Sequence, residues 1–226
     1  MRFEKYFDHT CLKPEATEAD IAKLCNEAMR YDFASVCINP CYVKFSKKLI
    51  VNSKIMACSV VGFPLGANTM DVKIAEATNA VNNGADEIDV VINVGKLKDK
   101  QYDYIKEEIN RVKQSIGDHV LKVIVETCLL DEDEKINICK IILDTNADYI
   151  KTSTGFGTPK DKNTLKGADE KDIKLFKNLI GNKKLKIKAS GGINTYKDTD
   201  KMIKAGAERI GASKSVYIVK EILSSQ

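Results

Sequence analysis

A chain of 226 residues can bury one substantial core, and nothing in its composition demands a second domain. Apolar residues at 43% and charged residues at 30% describe an ordinary soluble globular protein, and no segment is apolar for long enough to span a membrane. A net charge of +4 favours an anionic small substrate and is too weak and dispersed to argue for nucleic acid.

The first residues, Met1 to Tyr6, lack the apolar core of a signal peptide, so a cytoplasmic location is expected. Seven cysteines fit that compartment as free thiols, and their spacing suggests no disulfide framework. Cys37 and Cys41 have no matching second pair, and His9 and His119 are the only histidines, so no metal site is expected.

In chain order, Tyr6 to His9 reads as a brief strand. Thr17-Glu18-Ala19-Asp20 carries a helix-start signature, followed by Ile21, Leu24, Cys25 and Ala28 at helical spacing. Ala34 to Ile38 is a second strand stopped by Asn39-Pro40, with a helix from Val43 to Leu49. Ile55 to Val61 is the third strand. The helix beginning near Asn68-Thr69 ends at Gly84, a residue suited to the left-handed position after a helix. Glu87 to Asn93 makes the fourth strand, with a helix from Gln101 to Ile116. Leu121 to Glu126 makes the fifth, with a helix from Asp133 to Leu143. Ala147 to Lys151 is the sixth, and a long polar loop leads to a helix from Asp169 to Ile180. Leu185 to Ala189 is the seventh strand, with a helix from Lys197 to Ala205. Arg209 to Ala212 is the eighth, and Ser215 to Leu223 supplies the last helix.

Strand and helix alternate eight times, and the chain echoes itself at Gly84-Ala85-Asp86, Asn146-Ala147-Asp148 and Gly206-Ala207-Glu208. Strands rich in Val and Ile on both faces suit a parallel sheet covered by helices. The expectation is an α/β fold, a closed (β/α)8 TIM barrel forming one domain over residues 1–226.

A barrel of this kind works at the carboxyl ends of its strands, which tells which residues can converge. Asp89, Lys151 and Lys188 each lie in an otherwise apolar strand, where an ionised side chain is costly without a partner. Lys151 ends its strand, where its head could simply reach solvent. Asp89 fits a structural ion pair and catalysis equally well. Lys186 and Lys188 share one strand face; one should point to solvent and Lys188 to the site. Two neighbouring ammonium groups should each lower the other's pKa, and a lysine that attacks a carbonyl must be neutral. Ser190-Gly191-Gly192 and Gly211-Ala212-Ser213, after the last two strands, offer backbone amides to a phosphate. Glu126 is the rival base for an isomerase-like reaction, and a non-catalytic phosphate sensor is the alternative outside enzymes.

These residues fall within phrases that run along nearly the whole chain. They include Asp8-His9-Thr10-x-Leu12, Ser35-Val36-Cys37-Ile38-Asn39-Pro40, Val61-Gly62-Phe63-Pro64-x-Gly66 and Glu87-Ile88-Asp89-Val90-Val91-Ile92-Asn93. Three more are Tyr149-Ile150-Lys151-Thr152-Ser153-Thr154-Gly155-Phe156, Lys188-Ala189-Ser190-Gly191-Gly192-Ile193 and Arg209-Ile210-Gly211-Ala212-Ser213. The chain resembles the deoxyribose-phosphate aldolase family of Schiff-base aldolases.

The resemblance implies that Lys151 forms the imine, Lys188 lowers its pKa and Asp89 takes part in proton relay. It assigns Cys37 to the pocket lining, where a plain core thiol is the physical alternative. It implies that Asp8, Thr10, Leu12, Phe63 and Thr152 shape the pocket or hold its water. Gly155, Gly191, Gly192, Gly211 and Ser213 would hold the phosphate. The implied reaction converts 2-deoxy-D-ribose 5-phosphate reversibly into acetaldehyde and D-glyceraldehyde 3-phosphate, without metal or organic cofactor. The implied partners are that phosphorylated sugar and the aldehydes, with no nucleic acid and no membrane; a homodimer stays open. Two departures stand out. Asn194 occupies a place where many relatives carry arginine, with Lys214 as a candidate replacement. No tyrosine follows Tyr217, whereas some relatives end in one that assists proton transfer.

Overall fold

The computed structural model describes residues 2–159, 161 and 164–223. Eight parallel strands close into a barrel in chain order. The first half comprises β1 (Phe7–Cys11), α1 (Glu18–Tyr31), β2 (Ser35–Ile38), α2 (Val43–Ile50), β3 (Met56–Val61), α3 (Met70–Asn82) and β4 (Glu87–Val91). The second comprises α4 (Val94–Lys98), α5 (Tyr102–Ile116), β5 (Val120–Ile124), α6 (Glu132–Leu143), β6 (Tyr149–Lys151), α7 (Glu170–Ile180), β7 (Lys186–Ser190), α8 (Tyr196–Ala205), β8 (Arg209–Ala212) and α9 (Ser215–Leu223). Ring closure pairs β1 with β8, Asp8 opposite Gly211. No described helix is long and apolar enough to cross a membrane.

Local chemistry starts these elements where expected. Thr17 Oγ1 accepts from Asp20 N at 3.3 Å and Asp20 Oδ2 accepts from Thr17 N at 2.8 Å, a reciprocal cap opening α1. The repeated tripeptides share one job. Asp86 N and Asp148 N donate to Ala57 O and Leu121 O, registering β4 and β6 on the preceding strands. The Asp86 and Asp148 carboxylates accept in turn from Ala57 N and Leu121 N, each at 2.8 Å, and pair with Lys47 and Lys113 of the helix layer.

The strand faces are not alike, which corrects the expectation of apolar residues on both. Toward the helices lie Val36, Ile88, Val90, Leu121, Val123, Ile150, Ile187 and Ile210, all buried in the main core. The lumen-facing positions alternate with them and carry charge. They include Asp8, Glu87, Asp89, Lys122, Lys151, Lys188 and Arg209, joined across the barrel by ion pairs. A small apolar group, Cys37, Cys58 and Val60 under Leu12 and Phe63, fills the rest of the upper lumen. The helix-facing positions supply the hydrophobic driving force, about 25 cal/mol per Å² of apolar area buried.

Candidate active site

The period of two along each strand decides the membership of the site. Asp89 sits at the middle of β4 and is fully buried. Lys151 Nζ and Lys188 Nζ both donate to its Oδ2 at 2.7 Å, and Lys122 Nζ donates to its Oδ1 at 2.9 Å. Lys188 also pairs with Asp8. Below them, Lys122 meets Glu87 at 2.6 Å, while Arg209 bridges Asp8 at 2.5 Å and Glu87 at 3.1 Å. The network therefore runs from the first residues of β4 and β8 up to the end of β6. Lys186, two residues before Lys188, is exposed below the Tyr149 ring at the amino end.

Burial alone would raise the Asp89 pKa, but the ammonium groups of Lys122, Lys151 and Lys188 outweigh it and hold the group well below the ordinary carboxylate range. Asp8 behaves likewise: burial opposes ionisation, and Arg209, Lys188 and Lys122 overcome it. Burial also works against the Lys188 ammonium, yet Asp8 and Asp89 push its pKa above the ordinary lysine value. For Lys188 this corrects the expectation that a neighbouring ammonium lowers its pKa. Lys188 is locked as a cation because two carboxylates converge on it.

A cavity of about 500 Å³ opens at the carboxyl ends of the strands. Lys151 reaches its floor at 3% exposure, while Lys188 and Asp89 lie just beneath at 0%. Of the residues expected to touch substrate, Thr10, Leu12, Gly155, Gly191, Gly192, Gly211 and Ser213 line this cavity. Asp8, Cys37, Phe63 and Thr152 do not. Asp8 is spent on Lys188, Arg209 and the Ser35 hydroxyl. Cys37 is fully buried below the floor, its Sγ 4.0 Å from Asp89 Oδ2. Thr152 Oγ1 donates to Ser190 O at 3.2 Å and accepts from Ser190 N at 3.1 Å, clamping the ends of β6 and β7. Phe63 caps the Cys37, Cys58 and Val60 group and stands edge-on to Phe156 at 5.4 Å; Phe156 is the aromatic that faces the cavity.

Asn194 lines the cavity, its Nδ2 donating to Gly192 O at 3.0 Å, whereas Lys214 is exposed outside it. Glu126 lies outside the lining as well. It takes a left-handed conformation, φ 55°, and its carboxylate accepts from Thr154 N at 3.2 and 3.3 Å and from the Thr154 hydroxyl. It latches the loop after β6, which leaves it badly placed as a base. Residues 224–226, where a tail tyrosine is absent from the sequence, lie outside the described residues.

Sequence reasoning missed Lys122, Glu87 and Arg209. The signal was there: Lys122 interrupts an apolar strand as Asp89 does. Cys37, Cys58 and Asp89 place donor atoms within 4.8 Å of one another, a spacing a metal ion could use. Three ammonium groups already hold the Asp89 oxygens, so a divalent cation would meet opposing charge there.

An eight-stranded parallel barrel with a cationic lumen and a lysine at the floor of its upper cavity defines a (β/α)8-barrel enzyme site of the lysine-centred kind. The family model described as DeoC/LacD family aldolase matches residues 3–218. The chain is similar to the deoxyribose-phosphate aldolase of Caldanaerobacter subterraneus subsp. tengcongensis, 49% identical over 98% of this chain and 94% of that protein. It is also similar to the Finegoldia magna deoxyribose-phosphate aldolase, 50% identical over 97% of this chain and all of that protein. Among solved structures, the aldolase QR15 superposes with a TM-score of 0.91 at 37% identity, covering 99% of this chain and 97% of QR15. The tetrameric deoxyribose phosphate aldolase of Aeropyrum pernix gives 0.86 at 31% identity, covering 99% and 92%. The chain belongs to the DeoC/LacD family of aldolases, and it is therefore an enzyme of the carbon–carbon lyase class.

Proposed function

We propose that the chain reversibly cleaves 2-deoxy-D-ribose 5-phosphate to acetaldehyde and D-glyceraldehyde 3-phosphate through an imine on Lys151. The observation that carries this reading is a charge tally in the lumen. Lys122, Lys151, Lys188 and Arg209 face Asp8, Glu87 and Asp89, four cations against three carboxylates. Balance is reached when one ammonium gives up its proton, and Lys151 is the member at the cavity floor. Asp89 keeps Lys122 and Lys188 as partners when that proton leaves, so no buried carboxylate is stranded.

The neutral amine adds to the sugar aldehyde, and loss of water gives a protonated imine. That cation draws the electron pair of the C2–C3 bond as the C3 hydroxyl surrenders its proton, releasing D-glyceraldehyde 3-phosphate and leaving an enamine. Protonation of the enamine carbon and hydrolysis of the imine release acetaldehyde. Asp89, held ionised, and Lys188, held as an ammonium, act as a fixed charge pair beneath the imine that orients the proton relay, and water carries the proton from the hydroxyl to the enamine carbon. The glycines after β6, β7 and β8 offer their amides to the phosphate. A role in deoxyribonucleoside catabolism in the cytoplasm, on small phosphorylated sugars and aldehydes, fits these features.

The test is acetaldehyde release from 2-deoxyribose 5-phosphate by the purified chain, with Lys151→Met as control. Activity in the parent and a loss of at least about 10³-fold in the variant are expected. A fully active Lys151→Met would overturn the imine assignment.

A further inference from the structure

Nothing beside the glycine loops has so far supplied a positive charge to the substrate's phosphate. Phe156 is apolar, Asn194 is neutral and turned onto Gly192, and Lys214 stands outside the cavity. Lys13 and Lys23 line the far side of the mouth, but Asp20 and Glu27 line it beside them, and both lysines act on the Asp20 carboxylate.

A second cavity of about 330 Å³ adjoins the first and shares Gly155, Gly191 and Gly192 with it. Its cations are Lys166 and Lys201. Lys201 is paired with Glu170 at 3.1 Å, and the cavity's one acid, Asp198, accepts from Asn194 N and Thr195 N at the start of α8. Among the described residues Lys166 has no ion pair. The returning limb of the loop after β6 also docks tightly on the glycines. Ala168 N donates to Gly191 O at 3.0 Å, and a Cβ on Gly167 would lie only 2.1 Å from that oxygen. Gly167 is thus the only kind of residue that lets the loop approach so closely, and it sets residue 166 beside the cradle.

We infer that Lys166 is the cation that recognises the substrate's phosphate in this chain, reaching it from the loop after β6. The inference rests on the aldolase reading above and assigns a specificity-determining residue to it. A lone exposed cation against a phosphate dianion gives a modest, measurable preference.

The experiment compares kcat/KM for 2-deoxyribose 5-phosphate with that for unphosphorylated 2-deoxyribose. In Lys166→Met the ratio should fall by about five- to tenfold, through KM of the phosphorylated sugar, with inorganic phosphate weakened as a competitive inhibitor by a similar factor. Adding Asn194→Arg to Lys166→Met should restore much of the ratio. An unchanged ratio in Lys166→Met, or a fall in Lys214→Met instead, would overturn the assignment while leaving the aldolase reading intact. No turnover of either sugar by the parent chain would overturn both.

Discussion

Lys151 and Lys188 donate to one and the same oxygen of Asp89, each at 2.7 Å. Two ammonium groups two hydrogen bonds apart in a closed lumen are tolerable only because Asp8, Glu87 and Asp89 answer them, with one cation still in surplus. The chemistry proposed for Lys151 uses that surplus, and the network around it makes separate demands that can be measured.

Lys188 is placed to act as a fixed cation, its proton secured by Asp8 and Asp89. Replacing it in Lys188→Met should leave Lys151 as the remaining ammonium donor to Asp89 Oδ2 and reduce kcat by about 10²- to 10⁴-fold, the range for loss of a positioned acid or charge. Steady-state kinetics beside a far-UV spectrum of the folded variant checks this. Turnover within threefold of the parent would remove Lys188 from the mechanism.

Lys122 does not reach the cavity, so its contribution should appear in stability. Lys122→Met leaves Glu87 with Arg209 alone and Asp89 Oδ1 with only the Cys58 thiol in a buried lumen, and breaking such a pair costs up to about 3–5 kcal/mol. Adding Glu87→Gln should return part of that loss, giving a coupling energy of at least about 1 kcal/mol in a double-mutant cycle by urea unfolding. Additive losses would show that the two groups do not depend on each other.

The depressed carboxylates fix the sign of the acid response. Asp8 and Asp89 have folded-state pKa values below the unfolded value of about 3.9, so folding favours their ionised forms. Their contribution is fully present above about pH 5 and is lost as pH falls below about 4 toward their folded-state values. Glu126 runs the other way: burial raises its pKa, so its ionisation costs stability as pH rises through that raised value. Buried His9, whose pKa burial lowers, adds a smaller loss as pH falls below about 6.5, so denaturant midpoints should decline gently from pH 7 to 5 and drop steeply below about 4. A collapse already complete at pH 5 would contradict the assignment.

Gly66 closes the loop after β3 against the end of β4. Its φ is +67°, and a Cβ there would lie 1.9 Å from Ile92 O. Gly66→Ala must both strain the backbone and displace a strand end two to three residues from Asp89, and a cost of about 3 kcal/mol or more is expected. Thermal unfolding of the variant against Gly117→Ala, whose positive φ is strained but whose Cβ meets nothing within 4 Å, separates the clash from the strain. Equal losses would mean that the clash is absorbed.

Much of this could be read before any coordinates. The alternation of strands and helices specified the closed barrel, Arg209–Ala212 and Ser215–Leu223 fall where expected, and Lys151 does end β6. Lys151, Lys188 and Asp89 do meet, because lumen-facing side chains in a closed barrel have nowhere else to point. The lumen's lower half was not legible. Lys122, Glu87 and Arg209 each look like a single charge at a strand position, and only ring closure shows that they answer one another across the barrel. Position along the strand also separates Lys151, at the floor of the cavity, from Asp8, Cys37 and Thr152, which the shared phrases could not do. The five-residue α4, Val94–Lys98, is too short to leave a periodic signal. Lys73 and Glu108, fully buried as a pair at 2.8 Å between α3 and α5, look on sequence like two more charges on solvated helix faces.

The proposed chemistry rests on one nitrogen, Lys151 Nζ. Incubating the chain with acetaldehyde and sodium borohydride, then mapping the adduct by peptide mass spectrometry, reads it directly. A two-carbon ethyl modification is expected on Lys151 with matching loss of activity, and none on Lys122 or Lys188. An active preparation that keeps Lys151 unmodified, or carries the adduct on Lys188 instead, would contradict it.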